Sequence, residues 1–457
     1  MLIRTRREFF RTVLGSLGAA GALGKFGEMA ALANNPSNNY PYQALVCIFL
    51  AGGNDGHNTV FPVSTIAKYE TSYLKYRGPL ALPSPGVSTT IHNAGDVYGV
   101  HPNMPEIAAL YNQGVAAVIA NVGNLVQPIT KAQYQSPGAV VPLQLFSHAD
   151  QVNQWQSAIP DKPANTGWGG RAEDLMAQSA NAGAQFSPIT STSGCGLFCT
   201  GTQTFASTVP VGGASLLQGA TSGPRLNAVN ALMQFDNGLK LVSAANQNYL
   251  RGVGFSQALN AALASAKVTT PFPSTLLGQQ LLTVAKIISI HQVLGITRQV
   301  FFCQLGGFDT HSDELNGQAP LLQQLSQAVS AFYTATCNIA APQGSPVPMQ
   351  NLVTTFTASE FGRTLQPNGN GGTDHAWGSH HFVIGGDVLG GKFYGQFPDL
   401  SLGGPDDANT RGTLIPTTSI AQYAATLASW FGVDQASLPG VSPKIVNFTV
   451  QNLGFLA

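Results

Sequence analysis

The stretch ALVCIFLAGGNDGHNT, from Ala44 to Thr59, decides the fold that we expect for this chain. It begins with an apolar run of strand length, and a pair of glycines then introduces a polar segment. A strand buried on both faces of a parallel sheet has this continuous apolar character. Four further runs share it, namely GVAAVIANVG, VPLQLFS, RQVFFCQLGG and NLVTTFTASE. The sequence therefore predicts several fully buried strands.

Segments with apolar residues at helical spacing alternate with these runs. They include GGRAEDLMAQSA, PLLQQLSQAVSAFYTATCN and TSIAQYAATLASWFG, and Ser274 and Thr417 are placed to cap two of the helices. Such alternation predicts a layered α/β fold with a mainly parallel sheet. Residues 185–225, which are rich in Gly, Ser and Thr, are expected to form an irregular insertion.

The composition narrows the possible functions. Charged residues make up 9% of the 457 residues, against roughly 25% in ordinary soluble proteins. The formal net charge is zero, and removal of residues 1–33 leaves 16 basic and 19 acidic groups. A chain without an excess of positive charge has no electrostatic surface for nucleic acid, so we expect no nucleic-acid partner.

Residues 1–33 have the features of an export signal and are not expected to join the fold. Arg6 and Arg7 precede two phenylalanines and a weakly apolar stretch, and the small-residue sequence ALA ends at Ala33. The segment resembles a twin-arginine signal, which implies export in the folded state by the twin-arginine translocase; an ordinary basic amphipathic N-terminus is the alternative. No later segment has the apolar length of a membrane span, so we expect a periplasmic or secreted protein.

The five cysteines are compatible with an oxidising compartment. Cys195 and Cys199 lie close together in a Gly-rich loop and are expected to form a local disulfide. Half of a zinc site is the alternative, although no second Cys or His pair follows at a suitable spacing. Cys47 and Cys303 lie inside apolar runs and are expected to be buried thiols.

Polar side chains gather where the apolar runs end. They are Asp55 after the first run, Ser147 and His148 after VPLQLF, Asp309 and His311 after RQVFFCQLGG, and Glu360 and Arg363 after NLVTTFTAS. In a parallel sheet these loops meet at the carboxyl ends of the strands, where ligands bind. Each residue alone is typical of a turn or of a satisfied polar side chain. Their number in a chain so poor in charge indicates a metal site.

The segment GGTDHAWGSHH, residues 371–381, adds three histidines to this set. His375 is expected to bind the metal, and Asp374 to orient or supplement it, because a metal-bound imidazole needs its second nitrogen held. His380 and His381 are adjacent, and adjacent residues of an extended segment face opposite sides. One of them is therefore expected at the crevice, while the other points away.

Other catalytic classes lack their motifs in the mature chain. G-x-S-x-G, G-x-x-x-x-G-K-[ST] and H-E-x-x-H are all absent from it. A Ser-His-Asp esterase that uses Ser147 is conceivable, because such a triad is defined by geometry. It would leave the other polar loops unexplained.

Six motifs resemble those of a large bacterial family of twin-arginine-exported proteins that is labelled as a domain of unknown function. They are FLAGGNDGHNTVFP, GVHPNMPEI, TGWGGR, GGFDTH, ASEFGRT and NGGTDHAWGSHHFVIGGDVLGGKFYGQFP. That family is similar to sulfatases, alkaline phosphatases and cofactor-independent phosphoglycerate mutases. The resemblance implies a single alkaline-phosphatase-like domain over residues 40–457. Its fold would be a three-layer α/β/α sandwich with two metal ions at the strand ends and a Ser, Thr or formylglycine nucleophile.

The resemblance also implies roles for single residues. Asp55 matches a ligand of one metal ion, and Asp309 matches a ligand of the second, with His311 as its neighbour. Ser147 falls at the place of the nucleophile, and His375 matches a late metal-binding histidine.

Two departures weaken the match to a two-metal site. Glu360 stands where the superfamily has the aspartate of an Asp-His pair, and Phe361 stands where it has the histidine. The spacing between Asp309 and His311 is also shorter than usual. His57 or His148 is available to replace a missing ligand.

Two functions remain open at this level. The first is a hydrolase that depends on a divalent metal, with zinc as the simplest choice and one or two ions, because His nitrogen and carboxylate oxygen are the usual zinc ligands. It would act on phosphate or sulfate esters of small molecules or glycans, with Ser147 as nucleophile and Arg363 gripping the tetrahedral anion. The alternative is a non-catalytic envelope protein that binds glycans or assists assembly.

The export signal gives a first prediction. Replacing both Arg6 and Arg7 by Lys keeps the charge but removes the paired guanidinium groups, so the precursor is expected to remain uncleaved in the cytoplasm. Cell fractionation and immunoblotting measure this. A variant with Arg4→Lys and Arg11→Lys is the matched control and is expected to be exported. Processed double-Lys protein in the periplasm would exclude the twin-arginine route.

Overall fold

The computed structural model describes residues 41–63, 69–177, 179–182, 184, 186–194, 196–213, 223–235 and 238–457. The predicted signal at 1–33 lies outside these residues. So does Cys195, which leaves the expected disulfide outside the described structure, whereas Cys199 is buried. Cys47 and Cys303 are buried, as predicted.

The described residues contain twelve named strands. They are β1 (Gln43–Ala51), β2 (Val60–Pro62), β3 (Thr90–Asn93), β4 (Asp96–Val100), β5 (Ala116–Gly123), β6 (Ile189–Ser191), β7 (Ser207–Thr208), β8 (Arg298–Gly306), β9 (Val353–Ala358), β10 (Ser379–Ile384), β11 (Phe393–Tyr394) and β12 (Thr418–Ser419).

The α-helices of the described residues are short at the ends of the sheet and long on its faces. They are α1 (Gly56–Thr59), α2 (Lys75–Arg77), α3 (Pro105–Asn112), α4 (Lys131–Tyr134), α5 (His148–Ser157), α6 (Trp168–Met176), α7 (Gly223–Leu232), α8 (Lys240–Leu263), α9 (Leu276–Ser289), α10 (His291–Leu294), α11 (Glu314–Asn338), α12 (Ile420–Trp430) and α13 (Leu438–Val441). None of the helices in this part of the chain combines the length and the apolar character of a membrane span.

One large sheet organises the molecule. Its strands follow the order β11-β5-β10-β9-β1-β8-β6-β7, with β12 also paired to β5. β1 lies at its centre, parallel to β8 on one side and to β9 on the other. β10 runs antiparallel to both of its neighbours, β9 and β5, so its first residues lie at the edge where β1, β8 and β9 end. β2, β4 and β3 form a separate small antiparallel sheet.

Alternate residues of β1 enter hydrophobic cores on opposite faces of the large sheet. Val46 and Ile48 pack in the core that contains residues of α3, α9 and α11. Leu45 and Phe49 pack in the core that contains residues of α5, α6 and α12. Because a β-strand points successive side chains to opposite faces, an all-apolar strand requires cover on both sides. The protein is therefore a three-layer α/β/α sandwich, and the predicted fold class is confirmed.

Four of the five apolar runs form the strands β1, β5, β8 and β9. The fifth prediction is wrong, because VPLQLFS forms turns and irregular backbone at residues 141–147. Gln144 and Phe146 have φ values of 46° and 113°, which a strand does not adopt. The side-chain amide of Gln154 also donates to the carbonyl oxygen of Leu143 at 2.6 Å, so a helix side chain takes the place of a neighbouring strand.

Two details of the predicted boundaries also differ. Thr275 and Ser419 cap helices α9 and α12 with side-chain hydrogen bonds to the backbone, where Ser274 and Thr417 were expected. Within the predicted insertion at 185–225, the short strands β6 and β7 extend the edge of the large sheet.

A buried arginine connects the small helix α2 to the end of the large sheet. The guanidinium of Arg77 is fully buried and forms ion pairs with Asp55, after β1, and with Glu314, at the start of α11. It also donates to the carbonyl oxygens of Thr364 and Leu365 at 3.0 and 3.2 Å. A buried guanidinium is tolerated only when its charge and its N–H groups all have partners, and these contacts provide them.

Removal of this guanidinium is expected to destabilise the fold. Arg77→Met leaves two buried carboxylates without a counter-charge, so the free energy of unfolding should fall by about 3–5 kcal/mol. Urea denaturation followed by tryptophan fluorescence measures it. Lys75→Met, at an exposed position of the same helix, is the matched control and is expected to change little. Equal stability of the two variants would contradict a structural role for Arg77.

Candidate metal centre

The candidate site lies at the carboxyl edge of the large sheet. Asp309 and His311 follow β8, and His375 stands in the loop that precedes β10. His148 is the first residue of α5, which the chain reaches after leaving β5 at the same edge. The side chains of His148, Asp309 and His375 each offer one ligand atom, and these atoms lie within 4.8 Å of one another.

The carboxylate of Asp309 is the centre of this group. The Nε2 atom of His148 lies 3.3 Å from its Oδ2 oxygen. The Nε2 atoms of His311 and His375 lie 3.1 and 3.3 Å from its Oδ1 oxygen. The Nε2 atoms of His311 and His375 are themselves 3.0 Å apart. Three imidazole nitrogens and one carboxylate therefore converge on a single small space.

Arg363 keeps Asp309 ionised. Partial burial works against the charge of this carboxyl, but the hydrogen bond and the positive charge of Arg363 outweigh it and hold the pKa of Asp309 below its usual range. An ionised Asp309 has only acceptor atoms to offer. The imidazole nitrogens that face it must therefore carry protons or share a cation with it.

The second ring nitrogens of two of these imidazoles have acceptors as partners. His375 donates from Nδ1 to the carbonyl oxygen of Phe146 at 2.7 Å, and His148 donates from Nδ1 to Glu360 Oε1 at 3.0 Å. A neutral imidazole that donates from Nδ1 carries a lone pair on Nε2. Burial and the charge of Arg363 lower the pKa of His375, which favours this neutral form. In that form the Nε2 lone pair of His375 faces the oxygens of Asp309.

The second ring nitrogen of His311 also faces an acceptor, at a longer distance. Its Nδ1 atom lies 3.4 Å from Asp374 Oδ1, and Asp374 in turn accepts a hydrogen bond from Arg411 at 2.5 Å. Partial burial opposes the charge of Asp374, but this hydrogen bond lowers the pKa of the carboxyl. Asp374 thus stands behind His311, whereas the sequence predicted that it orients or supplements His375.

Phe361 forms the apolar wall of the group. Its ring stacks on His375 with centroids 4.4 Å apart and packs against His148 at 4.8 Å. Phe361, which stands where the resemblance implied a histidine, therefore contacts two other imidazoles of the group.

Asp55 lies at the same edge of the sheet but outside this group. Its carboxylate is bound to Arg77 and accepts from the backbone N–H of His57 at 3.1 Å. Burial raises the pKa of Asp55, and the charge of Arg77 opposes that effect. A guanidinium thus lies beside Asp55, where the resemblance to alkaline phosphatases implied a metal ion.

Glu360 and Arg363 lie behind the group and support it. Glu360 is 3% exposed, and its Oε1 oxygen accepts from Gly52 N as well as from His148. Arg363 is also buried and donates to the carbonyl oxygens of Gly52, Gly53, Phe308 and Thr373. Its N–H groups are therefore directed to the backbone and to Asp309, and not to an open anion site.

Ser147 stands next to the group in the chain, between Phe146 and His148. It occupies the N-cap position of α5, and its hydroxyl donates to Asp150 Oδ2 at 2.6 Å. A serine with a carboxylate partner beside a cluster of metal ligands has the chemistry of an activated nucleophile.

His380 and His381 lie in strand β10 and face its two sides. The ring of His380 stacks on Phe397 with centroids 4.9 Å apart, and the ring of His381 packs edge-on against Trp155 at 4.8 Å. Burial lowers the pKa of His380 to about 4 and that of His381 to about 3. Both are core histidines, and the contacts of neither ring place it at the crevice, where one was expected.

Sequence reasoning missed two contributors. His148 was predicted only as a replacement ligand, although its position directly after Ser147 was visible in the motif SHAD. Arg77 was missed altogether. A lone arginine between the aromatic and apolar residues of YLKYRGPL was the available signal, since a buried arginine in such a stretch requires acidic partners.

Comparison with known proteins places the chain in a family. No curated protein matches it. A protein-family profile with the description "Protein of unknown function (DUF1501)" matches residues 42–421, a range that contains every strand named above and all residues of the candidate site. Because the match covers far more than half of the chain, the protein belongs to the DUF1501 family.

Proposed function

We propose that the protein is an exported, metal-dependent hydrolase that cleaves phosphate or sulfate esters at the group formed by His148, Asp309, His311 and His375. The observation that carries the proposal is the convergence of three Nε2 atoms on the Asp309 carboxylate at 3.1–3.3 Å. With neutral imidazoles, lone pairs and an anionic oxygen at such distances repel each other unless a cation lies between them. A divalent metal ion held by His148, Asp309 and His375, with His311 beside it, removes this repulsion.

The ligand types favour zinc. Two imidazole nitrogens and a carboxylate oxygen, from His148, His375 and Asp309, make up a set of three protein ligands such as catalytic zinc sites use. Tetrahedral ligand atoms about 2.0 Å from zinc are roughly 3.3 Å from one another. The Nε2 atoms of His148 and His375 each lie 3.3 Å from an oxygen of Asp309, which matches that separation. Acceptors behind the imidazoles hold their second nitrogens, which is the usual arrangement around zinc-binding histidines.

A single ion is the form of the centre that we propose. Asp55, the residue that matches a ligand of a further ion, is paired with Arg77 in a fully buried contact. The guanidinium already supplies the positive charge there, so a second ion would have to displace it. In this proposal, the positive charge that a second metal ion would supply comes from the side chain of Arg77.

The residues around the centre supply most of what an ester hydrolase needs. When bound, the metal ion supplies a Lewis acid that polarises the ester oxygen. The hydroxyl of Ser147 attacks the phosphorus or sulfur, and Asp150, at 2.6 Å, accepts its proton. The bond to the alcohol oxygen breaks, and the alcohol leaves with the proton that Asp150 returns. Water, deprotonated by Asp150, then attacks the seryl ester, so that phosphate or sulfate leaves and Ser147 regains its proton. Phe361 excludes water from one side of His148 and His375.

Two further observations support the proposal. The quoted motifs resemble those of proteins that are similar to alkaline phosphatases and sulfatases. The twin-arginine pattern at Arg6 and Arg7 suits a protein whose metal is inserted before it crosses the membrane in the folded state. We therefore place its activity in the periplasm or outside the cell.

One observation favours a second function. The guanidinium of Arg363 is directed to backbone carbonyls and to Asp309, so it cannot grip a tetrahedral anion as the sequence suggested. A protein that binds the metal without hydrolysing esters, and that binds glycans or assists assembly in the envelope, would not need such a grip. Metal binding without hydrolysis is the result that would support it.

The metal ligands can be tested by single substitutions. His375→Ala and His148→Ala each remove a nitrogen from the centre, so both variants should lose zinc more severely than the roughly 10–100-fold drop in affinity seen when a residue behind a ligand is removed. Elemental analysis of the purified protein and competition with a chelator measure this. His92→Ala, at an exposed histidine on strand β3, is the matched control.

Hydrolysis is measured on the same preparations with aryl phosphates and aryl sulfates, before and after removal of the metal. We expect zinc to restore the activity of chelator-treated wild type but not that of the His375→Ala variant. Wild-type protein that holds no divalent ion after export would exclude the proposed centre.

The role of Ser147 has a separate test. Ser147→Ala is expected to reduce kcat by on the order of a millionfold, because removal of a nucleophilic serine has effects of this size. Its zinc content should be unchanged, since no ligand atom is lost. Ser136→Ala, in the exposed turn before the site, is the control. A Ser147→Ala variant with wild-type kcat would assign the attack to water instead.

A further inference from the structure

The loop before α5 adopts a backbone conformation that its sequence does not favour. Phe146 has a φ of 113°, a region that glycine enters freely and that is unfavourable for an aromatic residue. Gln144, two residues earlier, also has a positive φ of 46°. Strained non-glycine residues persist when the surrounding structure fixes them, and they concentrate at functional sites.

The loop is fixed by hydrogen bonds from both of its sides. The side-chain amide of Gln154 donates to Leu143 O at 2.6 Å, and that of Gln151 donates to Leu143 O at 3.2 Å. The backbone N–H of Leu143 also donates to Pro160 O at 2.9 Å. These contacts make the loop a preorganised support.

The conformation of Phe146 has two consequences for the metal centre. Its carbonyl oxygen accepts the hydrogen bond from His375 Nδ1 at 2.7 Å. From this distance and standard bond lengths, the Cα atom of Phe146 is at most about 5 Å from the His375 ring. The side chain of Phe146 therefore leaves the backbone beside the proposed centre. Because 39% of its surface is exposed, the hydrophobic core does not depend on it.

Two other exposed apolar side chains belong to the same loop. Leu143 is 42% and Val140 is 47% exposed, so three large apolar side chains reach solvent within one seven-residue stretch. Exposed apolar groups on a rigid loop next to a polar centre are typical of a ligand-binding rim.

We infer that Phe146 is a specificity-determining residue that binds a ring in the alcohol part of the ester, so that the substrates are esters of aryl groups or sugars. The inference rests on the proposed function. Aryl and sugar rings share a flat apolar face, which an aromatic side chain recognises by stacking. The same residue thus orients a metal ligand through its carbonyl and the substrate through its ring.

The test compares the binding of small non-hydrolysable anions to the zinc-loaded mature protein by calorimetry. Phenylphosphonate presents a ring, whereas methylphosphonate presents none. Wild type is expected to bind phenylphosphonate about tenfold more tightly, the effect of one favourable aromatic contact. Phe146→Ala should abolish this preference. The non-hydrolysable phosphonate analogues of glucose 6-phosphate and glycerol 3-phosphate extend the comparison to sugars, and a preference for either ring supports the inference.

Further variants separate the ring from the backbone. Phe146→Trp keeps a ring and should keep the preference, whereas Phe146→Leu keeps apolar bulk without a flat face and should lose it. This pair decides the question even if Phe146→Ala does not fold. Phe146→Gly relieves the unfavourable φ without restoring the ring, so it should gain stability over Phe146→Ala and show no preference.

The outcomes distinguish this inference from the proposed function. Wild-type protein that binds methylphosphonate through zinc but shows no preference for either ring overturns the inference alone. A preference that persists in both Phe146→Ala and Phe146→Leu also overturns it. Failure to bind zinc, or failure of the zinc-loaded protein to bind either phosphonate, overturns the proposed function as well.

Discussion

The buried guanidinium of Arg363 holds together the loops on which the candidate site depends. It donates to Gly52 and Gly53 after β1, to Phe308 and Asp309 after β8, and to Thr373 before β10. Parallel strands end with carbonyl groups that have no partner in the sheet, and a buried carbonyl without a partner is costly. One planar group with five N–H donors satisfies several of them and fixes Asp309 beside them. The position of the Asp309 carboxylate is therefore set by the packing of strand ends, and the three imidazoles converge on a point that cannot move freely.

Much of the fold could be predicted from the sequence, because a strand buried on both faces must be apolar throughout, and β1, β5, β8 and β9 were found in this way. The location of the site at the carboxyl edge of the sheet was predicted from the same strands, because polar residues that directly follow parallel strands lie at that edge. The prediction of a strand for VPLQLFS was wrong because its composition is that of a strand, whereas its conformation is set by the side-chain amides of Gln151 and Gln154 in the next helix. The positive φ values of Gln144 and Phe146, which are not glycines, could not be predicted from the sequence.

The site was predicted less completely, because single-residue matching ignores partners that are distant in the chain. Asp55 has the local sequence of a metal ligand, yet Arg77, which lies 22 residues away, supplies its counter-charge. Glu360 likewise matches a ligand, but its Oε1 oxygen holds the outer nitrogen of His148. His375 was placed correctly in the group because glycines and a strand edge bracket its loop. Which acceptor holds its second nitrogen, the Phe146 carbonyl, depends on tertiary structure alone.

The scarcity of charge in the chain explains why these few groups are so informative. With only 9% charged residues, the surface is covered mainly by uncharged polar side chains. Charged groups that are buried, such as Arg77, Glu314 and Arg363, are each matched by partners, as desolvation requires. The carboxylate of Asp309 differs from them, because 45% of its side chain is exposed and its oxygens face imidazoles as well as the guanidinium of Arg363. Its position is fixed by the buried guanidinium while its oxygens remain accessible, and this is the arrangement on which the proposed metal centre rests.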